Sequence, residues 1–550
     1  MYLFEAAWQD NWDYYERVYD TQLKRSIKRK IDARPEYYVE STKQNPLAHY
    51  KYILDQDRVF EKQTRPKKGM GEEYGYQDAL YSHIRDNYWN VDMFQTKYNN
   101  KTRYWCLDIE TRSGVHSTGF PVPNKALEEI TMFQIFDSEI NELILLGTKD
   151  WKHKDHYVEK FHEKYTGSNA VNDIKFINCK DEITLINTYF KLFQKLDPTI
   201  IYAWNGNNFD FPYIHNRLKR LGMDTNLMSN YGSVTYKERE FQGSIKYTIN
   251  SQGHFYVDMM EVYKKFTFHP MTGYSLDNVA EYELNENKVN HDEYERFDDF
   301  YSGNYTIPQY PTDEQRNSEI YKQAVAGNIQ EVRDLSYSLF CYYGCIDTYL
   351  IERLIRKLKF HDILVMLSSK MGVMISDSMG TVKPWSQFLS NVALLENIIM
   401  PPKQEHPQPD VVGGYVRKPE HGIIRWILSE DVNSMYPLLG MVAFNMSPET
   451  FVPIYKLPDD IRDIIIKYYT GQDESKRFEI PSEIKDYLQS KLKEYGYSLG
   501  INGAVFSHEK LGIIPKLVLE IYNGRKTDKK TMFKFEQAKI HMSDYLKHRT

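Results

Sequence analysis

At 550 residues, with 41% hydrophobic and 27% charged side chains, the chain is globular in composition and too long for one hydrophobic core, which excludes a disordered or fibrous polypeptide. A net charge of −6 excludes a general polycation, so a nucleic-acid partner would have to be held by local clusters of Lys and Arg. The 45 tyrosines fit either half-buried packing or surfaces that stack on bases.

The first residues carry acids where a signal peptide needs a basic start, and no run approaches the ~20 apolar residues of a membrane span. A soluble, unexported, cytoplasmic protein is expected. The four cysteines, Cys106, Cys179, Cys341 and Cys345, have no zinc-site spacing and read as reduced thiols.

Residues 1–103 are polar and tyrosine-rich and read as an N-terminal domain, with a basic cluster from Lys24 to Lys30. Residues 104–355 alternate strand-like and helix-like runs, the pattern of an α/β domain. Tyr104 to Thr111 reads as a strand whose alternation turns Asp108 and Glu110 to one face. Two carboxylates there repel unless a cation or proton separates them, and all-oxygen ligands suit Mg²⁺ or Mn²⁺. A second strand, from Ile200, ends in the Asn205-Gly206 turn. Asp210 follows, ahead of a helix from Phe211 to Leu221, and an N-cap role for it is equally open. Arg217 to Arg220 forms a further basic run, readable as a solvated face. Strong alternation from Glu240 to Val257 suggests a β-hairpin or a plain sheet edge. A helix predicted from Asp334 to Lys359 puts Tyr343 and Asp347 on one face. Four carboxylates can hold two metal ions for phosphodiester cleavage, with Tyr343 orienting the water.

Proline-rich sequence near residues 400–409 marks a connector, after a segment of 356–404 that returns toward the N-terminal domain. A strand-like run from Gly422 to Leu428 leads to Asp431-Val432-Asn433-Ser434-Met435-Tyr436-Pro437, making Asp431 a candidate metal ligand at a sheet's end. Residues of roughly 455–500 read as a polar insertion. From Pro515 a basic helix is expected, bent or broken at Asn523-Gly524.

Asp108-Ile109-Glu110-Thr111, Asn205-Gly206 with Phe209-Asp210, and Tyr343 with Asp347 resemble the three exonuclease motifs of family B DNA polymerases of the T-even bacteriophage type. Asp258 to Phe266 with Ser275-Leu276, and Asn445 to Thr450, resemble further segments of that family. The resemblance implies an α/β multidomain fold: a ribonuclease H-like 3′→5′ exonuclease domain at 104–355, a partial palm at 405–509 and the start of the fingers at 510–550. It implies that Asp108, Glu110, Asp210 and Asp347 bind metal, and that Asp431 and Val432 bind the polymerase metals. Ser434, Met435, Tyr436, Arg525 and Lys529 would contact the nucleotide, with Tyr436 excluding a ribose 2′-hydroxyl. Gly413, Gly414 and Tyr415 would contact DNA. Glu430 and Leu438 depart from the family's pattern around the aspartate.

No second palm motif of the Asp-Thr-Asp type follows Asp431. The expected enzyme is therefore a Mg²⁺-dependent DNA polymerase with a full proofreading site and half a polymerase site. Its expected partners are primer-template DNA, single-stranded 3′ ends, deoxynucleoside triphosphates, a sliding clamp and a second polypeptide that completes synthesis. Uncovered apolar surface is expected near the C-terminal end. A stand-alone exonuclease and a non-catalytic DNA-binding subunit are the rival readings.

Overall fold

In the computed structural model, which describes residues 2–64, 74–89, 101–116, 119–241, 244–402, 416–432, 434–470 and 480–547, the α/β pattern builds one six-stranded sheet. Its order across the sheet is Asp173–Asn178, Glu142–Gly147, Ile130–Asp137, Tyr104–Thr111, Ile200–Ala203 and Phe255–Asp258. The strand Ile130–Asp137 runs antiparallel to both neighbours, whereas Ile200–Ala203 and Phe255–Asp258 run parallel to Tyr104–Thr111. This mixed order, covered on both faces, is the ribonuclease H-like arrangement.

Strand alternation decides which side chains face which layer. Trp105, Leu107 and Ile109 join one buried cluster with the helices Glu182–Leu196 and Asp210–Arg220. Cys106 joins the other cluster, against the long helix Ile329–Leu358. That helix starts five residues before the expected Asp334 and ends at Leu358, where Lys359 adopts a left-handed conformation. It lies close to the sheet at Gly344, where a Cβ would stand 2.6 Å from the Gln134 side chain, so a larger residue would push the layers apart.

The chain divides into two compact units, Met1–Ala33 with His83–Trp385, and Arg34–Ser82 with Ser386–Thr550. The boundary expected at 103 is thereby crossed, because the first 33 residues belong to the exonuclease unit. The reason is a buried cation. In the sheet formed by Tyr2–Asp10, Asp13–Asp20 and Arg25–Ile31, Arg17 pairs with Glu5 and donates to the carbonyls of Asp197, Pro198 and Gly253. Lys30 pairs with Asp13 and Arg29 with Glu16, so much of the Lys24–Lys30 cluster is neutralised locally. Arg217, expected on a solvated face, is instead buried and bidentate on Glu182.

The expected hairpin is present but begins earlier, as Val234–Phe241 paired with Ser244–Ser251, and Phe255–Asp258 belongs to the main sheet. The alternation from Glu240 to Val257 thus merged the hairpin's end with a core strand.

In the second unit, Ile398–Ile399, Tyr50–Tyr52, Asp55–Gln63, Glu36–Ser41 and Tyr74–Gln77 form a five-stranded sheet. Within the expected polar insertion, the helices Asp459–Tyr469 and Ser482–Tyr495 pack around Leu457, Ile461, Ile465, Leu488 and Val505. The last helix, Ile513–Lys547, is unbroken at Asn523-Gly524. One interior glycine costs only about 1 kcal/mol, too little to interrupt a helix carried by its neighbours. Its start is fixed by the Asn445–Thr450 segment: the Glu449 carboxylate accepts from Ile513 N at 2.5 Å, and Asn445 Oδ1 accepts from Gly512 N at 2.9 Å.

The expected strand from Gly422 to Leu428 does not form. Its residues are exposed and have no ladder partner among the described residues, and Trp426 is 99% exposed. A β-rich sequence becomes a strand only when a neighbour accepts its backbone hydrogen bonds.

Candidate active site

Asp108, Glu110, Asp210, Tyr343 and Asp347 line one cleft of about 690 Å³ in the first unit. The strand supplies Asp108 and Glu110 to the face covered by the long helix, which supplies Tyr343 and Asp347. Asp210 enters from the start of its own helix. It does not cap that helix; it is 2% exposed, and its Oδ1 accepts from Ile109 N at 3.2 Å, tying the second motif to the first. The turn before it needs Gly206, where a Cβ would lie 2.7 Å from Ala203 Cβ. Asp258 then fastens that turn by accepting from Asn205 N at 3.0 Å and Asn207 N at 3.2 Å.

Burial and, for Asp108, Glu110 and Asp210, repulsion from a neighbouring carboxylate raise the proton affinity of this group. Burial, then the Asp347 charge, pushes Asp108 up to about 7. Burial followed by Asp108 raises Glu110 and Asp210 well above the ordinary range. Burial also raises Asp347, against the opposing pull of Lys288.

Lys288 is the residue that motif reading missed. Its ammonium pairs with Asp347 Oδ2 and donates to Tyr343 Oη at 3.3 Å. Burial opposes its charge, but Asp347, Asp108 and Glu110 more than compensate and hold its pKa above the ordinary value. No local pattern marks it, since it lies in a polar loop 59 residues from its partner. Phe120, 76% exposed at the cleft and 5.2 Å from Phe209, was also missed, and it offers a face for a base.

Among the described residues, no group of three or more His, Cys, Asp or Glu side chains is drawn together at metal-binding distance. The carboxyls share the cleft without converging on one point, and Lys288 attends to Asp347. The donor set nevertheless fits a hard divalent cation. All four candidate donors are carboxyls whose proton affinity is raised by burial first and, for Asp108, Glu110 and Asp210, by neighbouring carboxylates that a cation would offset, and Asp347 Oδ1 is buried without a hydrogen-bond partner.

The second expected site is arranged differently. Asp431 and Val432 are exposed on an extended segment, Ser434 is left-handed at φ 55°, and Met435–Val442 forms a π-helical turn that packs on the terminal helix. Tyr436 is 75% exposed, not packed in a core. Arg525 and Lys529 lie on one face of the continuous terminal helix, both exposed. Gly413, Gly414 and Tyr415 lie outside the described residues.

A family described as DNA polymerase family B, exonuclease domain, matches residues 81–279. The DNA-directed DNA polymerase of Escherichia phage RB69 is 24% identical over 83% of this chain, and that of Enterobacteria phage T4 is 23% identical over 84%. Over its exonuclease motifs and most of its length the chain is similar to family B DNA polymerases. It covers only 45% and 46% of the length of these two phage polymerases. The DNA polymerase of the archaeon Archaeoglobus fulgidus is 26% identical over 51% of the chain. The family match contains Asp108, Glu110 and Asp210, while Tyr343, Asp347 and Lys288 lie beyond it. No helix of the described residues is long and apolar enough to cross a membrane.

Proposed function

We propose that the chain is the proofreading part of a phage-type replicative DNA polymerase: a 3′→5′ exodeoxyribonuclease that also carries the first polymerase motif. The observation that carries this reading is the convergence of Asp108, Glu110, Asp210, Asp347 and Tyr343 on one cleft with an exposed aromatic at it. Asp108, Glu110, Asp210 and Asp347 would hold two Mg²⁺, or Mn²⁺ in substitution. The bound ions would activate the water and neutralise charge at the leaving oxygen.

The chain's own residues do the rest. Phe120 stacks on a base of the unpaired 3′ end. Tyr343, with Lys288 beside its hydroxyl, orients the water toward the terminal phosphorus. The new P–O bond forms as the bond to the 3′ oxygen breaks, releasing a nucleoside 5′-monophosphate and leaving a 3′-hydroxyl that takes up a proton. The raised carboxyl pKa values set a direction in pH: these groups must lose their protons to bind the cations, so activity rises as pH increases.

On the polymerase side, Asp431 and Val432 serve as metal ligands, Ser434, Met435, Arg525 and Lys529 contact a deoxynucleoside triphosphate, and Tyr436 tests its sugar. Gly413, Gly414 and Tyr415 contact the template. Synthesis in the host cytoplasm further needs a second palm carboxylate and a cover for the apolar run before Asp431, whether from a further stretch of the same protein or from a second polypeptide.

The stand-alone exonuclease reading has one observation in its favour, since every residue of the nuclease cleft lies within one compact unit. The two readings separate by adding a polypeptide bearing the second palm motif: restored synthesis supports the polymerase reading, and its absence supports the stand-alone nuclease. The nuclease itself is tested with Asp108→Ala/Glu110→Ala on a 5′-labelled single strand. Shortening by the parent and none by the variant is expected; equal shortening by both would reject the site.

A further inference from the structure

A phosphate that enters the nuclease cleft meets side-chain N–H groups from Trp204, Asn205, Asn208, Lys288 and His291, and most of these are committed. The Trp204 indole donates to Tyr274 O at 3.0 Å, Asn208 Nδ2 donates to Asn205 Oδ1 at 2.7 Å, and the Lys288 ammonium serves Asp347 and Tyr343. His291 is half-buried, and neither of its ring nitrogens makes a hydrogen bond among the described residues. Asn205 belongs to the turn before Asp210, whereas His291 packs on Tyr343. Phe120, Tyr343 and Lys288 leave this imidazole without a task.

Packing, not hydrogen bonding, fixes the ring. Its centroid lies 5.4 Å from that of Tyr343, 5.6 Å from Phe297 and 5.5 Å from Phe300. The loop that carries it is tied down on both sides. Asp277 Oδ1 accepts from Lys288 N at 2.7 Å, Asn290 Oδ1 accepts from Asp292 N at 2.7 Å, and His291 O accepts from Tyr294 N at 3.0 Å. Tyr294 is buried and donates its hydroxyl to Ser336 Oγ, on the long helix, at 2.7 Å. A polar ring held by three aromatic neighbours, with its nitrogens unused at a cleft, is preorganised for a partner that enters.

On the exonuclease reading, on which this inference rests, that partner is the last phosphodiester of a strand, whose non-bridging oxygens are strong acceptors. Tyr343 directs the water at its phosphorus, so the same phosphate comes within reach of the imidazole packed on Tyr343. Every protonation form of imidazole at or below neutrality keeps at least one N–H, so the contact does not depend on a particular one. The phosphate leaves with the released nucleotide, and the contact is therefore common to substrate and product.

We propose that His291 donates a hydrogen bond to a non-bridging oxygen of the phosphate being cut, and holds that phosphate again in the nucleoside 5′-monophosphate before release. Lys288 serves Tyr343 and Asp347, while His291 grips the substrate itself.

Initial rates of the full chain on a 5′-labelled single strand in Mg²⁺, with deoxyadenosine 5′-monophosphate added as inhibitor, test this. His291→Phe keeps a flat ring among the aromatics and removes the donor. It should raise KM and weaken inhibition by the nucleotide, each by about tenfold, at an unchanged unfolding temperature. His291→Gln keeps an N–H and should stay within about threefold of the parent in both constants. The proposal is overturned if His291→Phe keeps the parent's KM and inhibition, if only its kcat falls, or if His291→Gln loses as much as His291→Phe. A parent that never shortens the strand overturns the exonuclease reading and this inference together. An active parent matched by His291→Phe overturns this inference alone.

Discussion

The carboxylates around Asp108 and the carboxylate of Asp431 lie in segments that resemble motifs of one polymerase family, yet their surroundings are opposite. Asp108, Glu110, Asp210 and Asp347 lie in a cleft whose walls, a sheet and a 30-residue helix, come from one compact unit. Asp431 follows an exposed run in which Ile423, Trp426 and Leu428 touch no core. Burial turns the first group into chemistry, by raising proton affinities and creating a demand for cations. Exposure leaves the second as an ordinary surface aspartate until something covers it. A motif supplies the functional groups; the packing around it determines whether they work.

This contrast can be broken by substitution. The largest effect is expected from Asp108→Ala/Glu110→Ala, which should take nuclease activity below detection. Its apo form should be no less stable than the parent, because repelling carboxyls have been removed; a large drop in unfolding temperature in EDTA would contradict the electrostatic account.

Glu352 extends the argument to a buried carboxyl outside the cleft, where it accepts from Tyr104 Oη at 3.0 Å and Arg356 Nε at 2.8 Å. Burial, only partly offset by Arg356, raises it from 4.5 to about 7. A raised folded pKa contributes stability that is fully present below 4.5 and is lost as pH climbs through about 7. Glu352→Gln, which mimics the protonated form, should therefore gain on the parent between those pH values, by about 3 kcal/mol at pH 8. Denaturant melts at pH 5 and pH 8 measure this, and a constant difference between the two proteins would refute it.

Lys288→Met leaves the Asp347 carboxylate without its cation. In EDTA the unfolding temperature should fall by about 5 °C, and Mn²⁺ should restore more of it than it adds to the parent. An unchanged melt would mean that the ion pair contributes nothing to the apo state. The smallest effect belongs to Asp431→Ala, for which stability should change by less than about 0.5 kcal/mol and nuclease activity should not change. A strong loss of either would show that Asp431 is integrated into the packed structure.

The legible parts of the sequence were those with local periodicity. Alternation in Tyr104–Thr111 put Asp108 and Glu110 on one face, and helical spacing paired Tyr343 with Asp347. Lys288 and Phe120 were invisible because each reaches the cleft from an irregular segment, placed by contacts remote in sequence. Asp210 looked like a helix cap because only the tertiary fold shows that Ile109 N, not its own helix, takes its oxygen. The Gly422–Leu428 strand was misread because β-propensity describes one half of a pairing. Arg17 explains why the first 33 residues joined the exonuclease unit, through a buried charge with acceptors about 180 and 236 residues away.

The most direct measurement is a denaturing gel of a 5′-labelled primer-template incubated with the purified chain, Mg²⁺ and all four deoxynucleoside triphosphates. The account predicts a primer that shortens and never lengthens. A lengthened primer, or one left untouched, would contradict it.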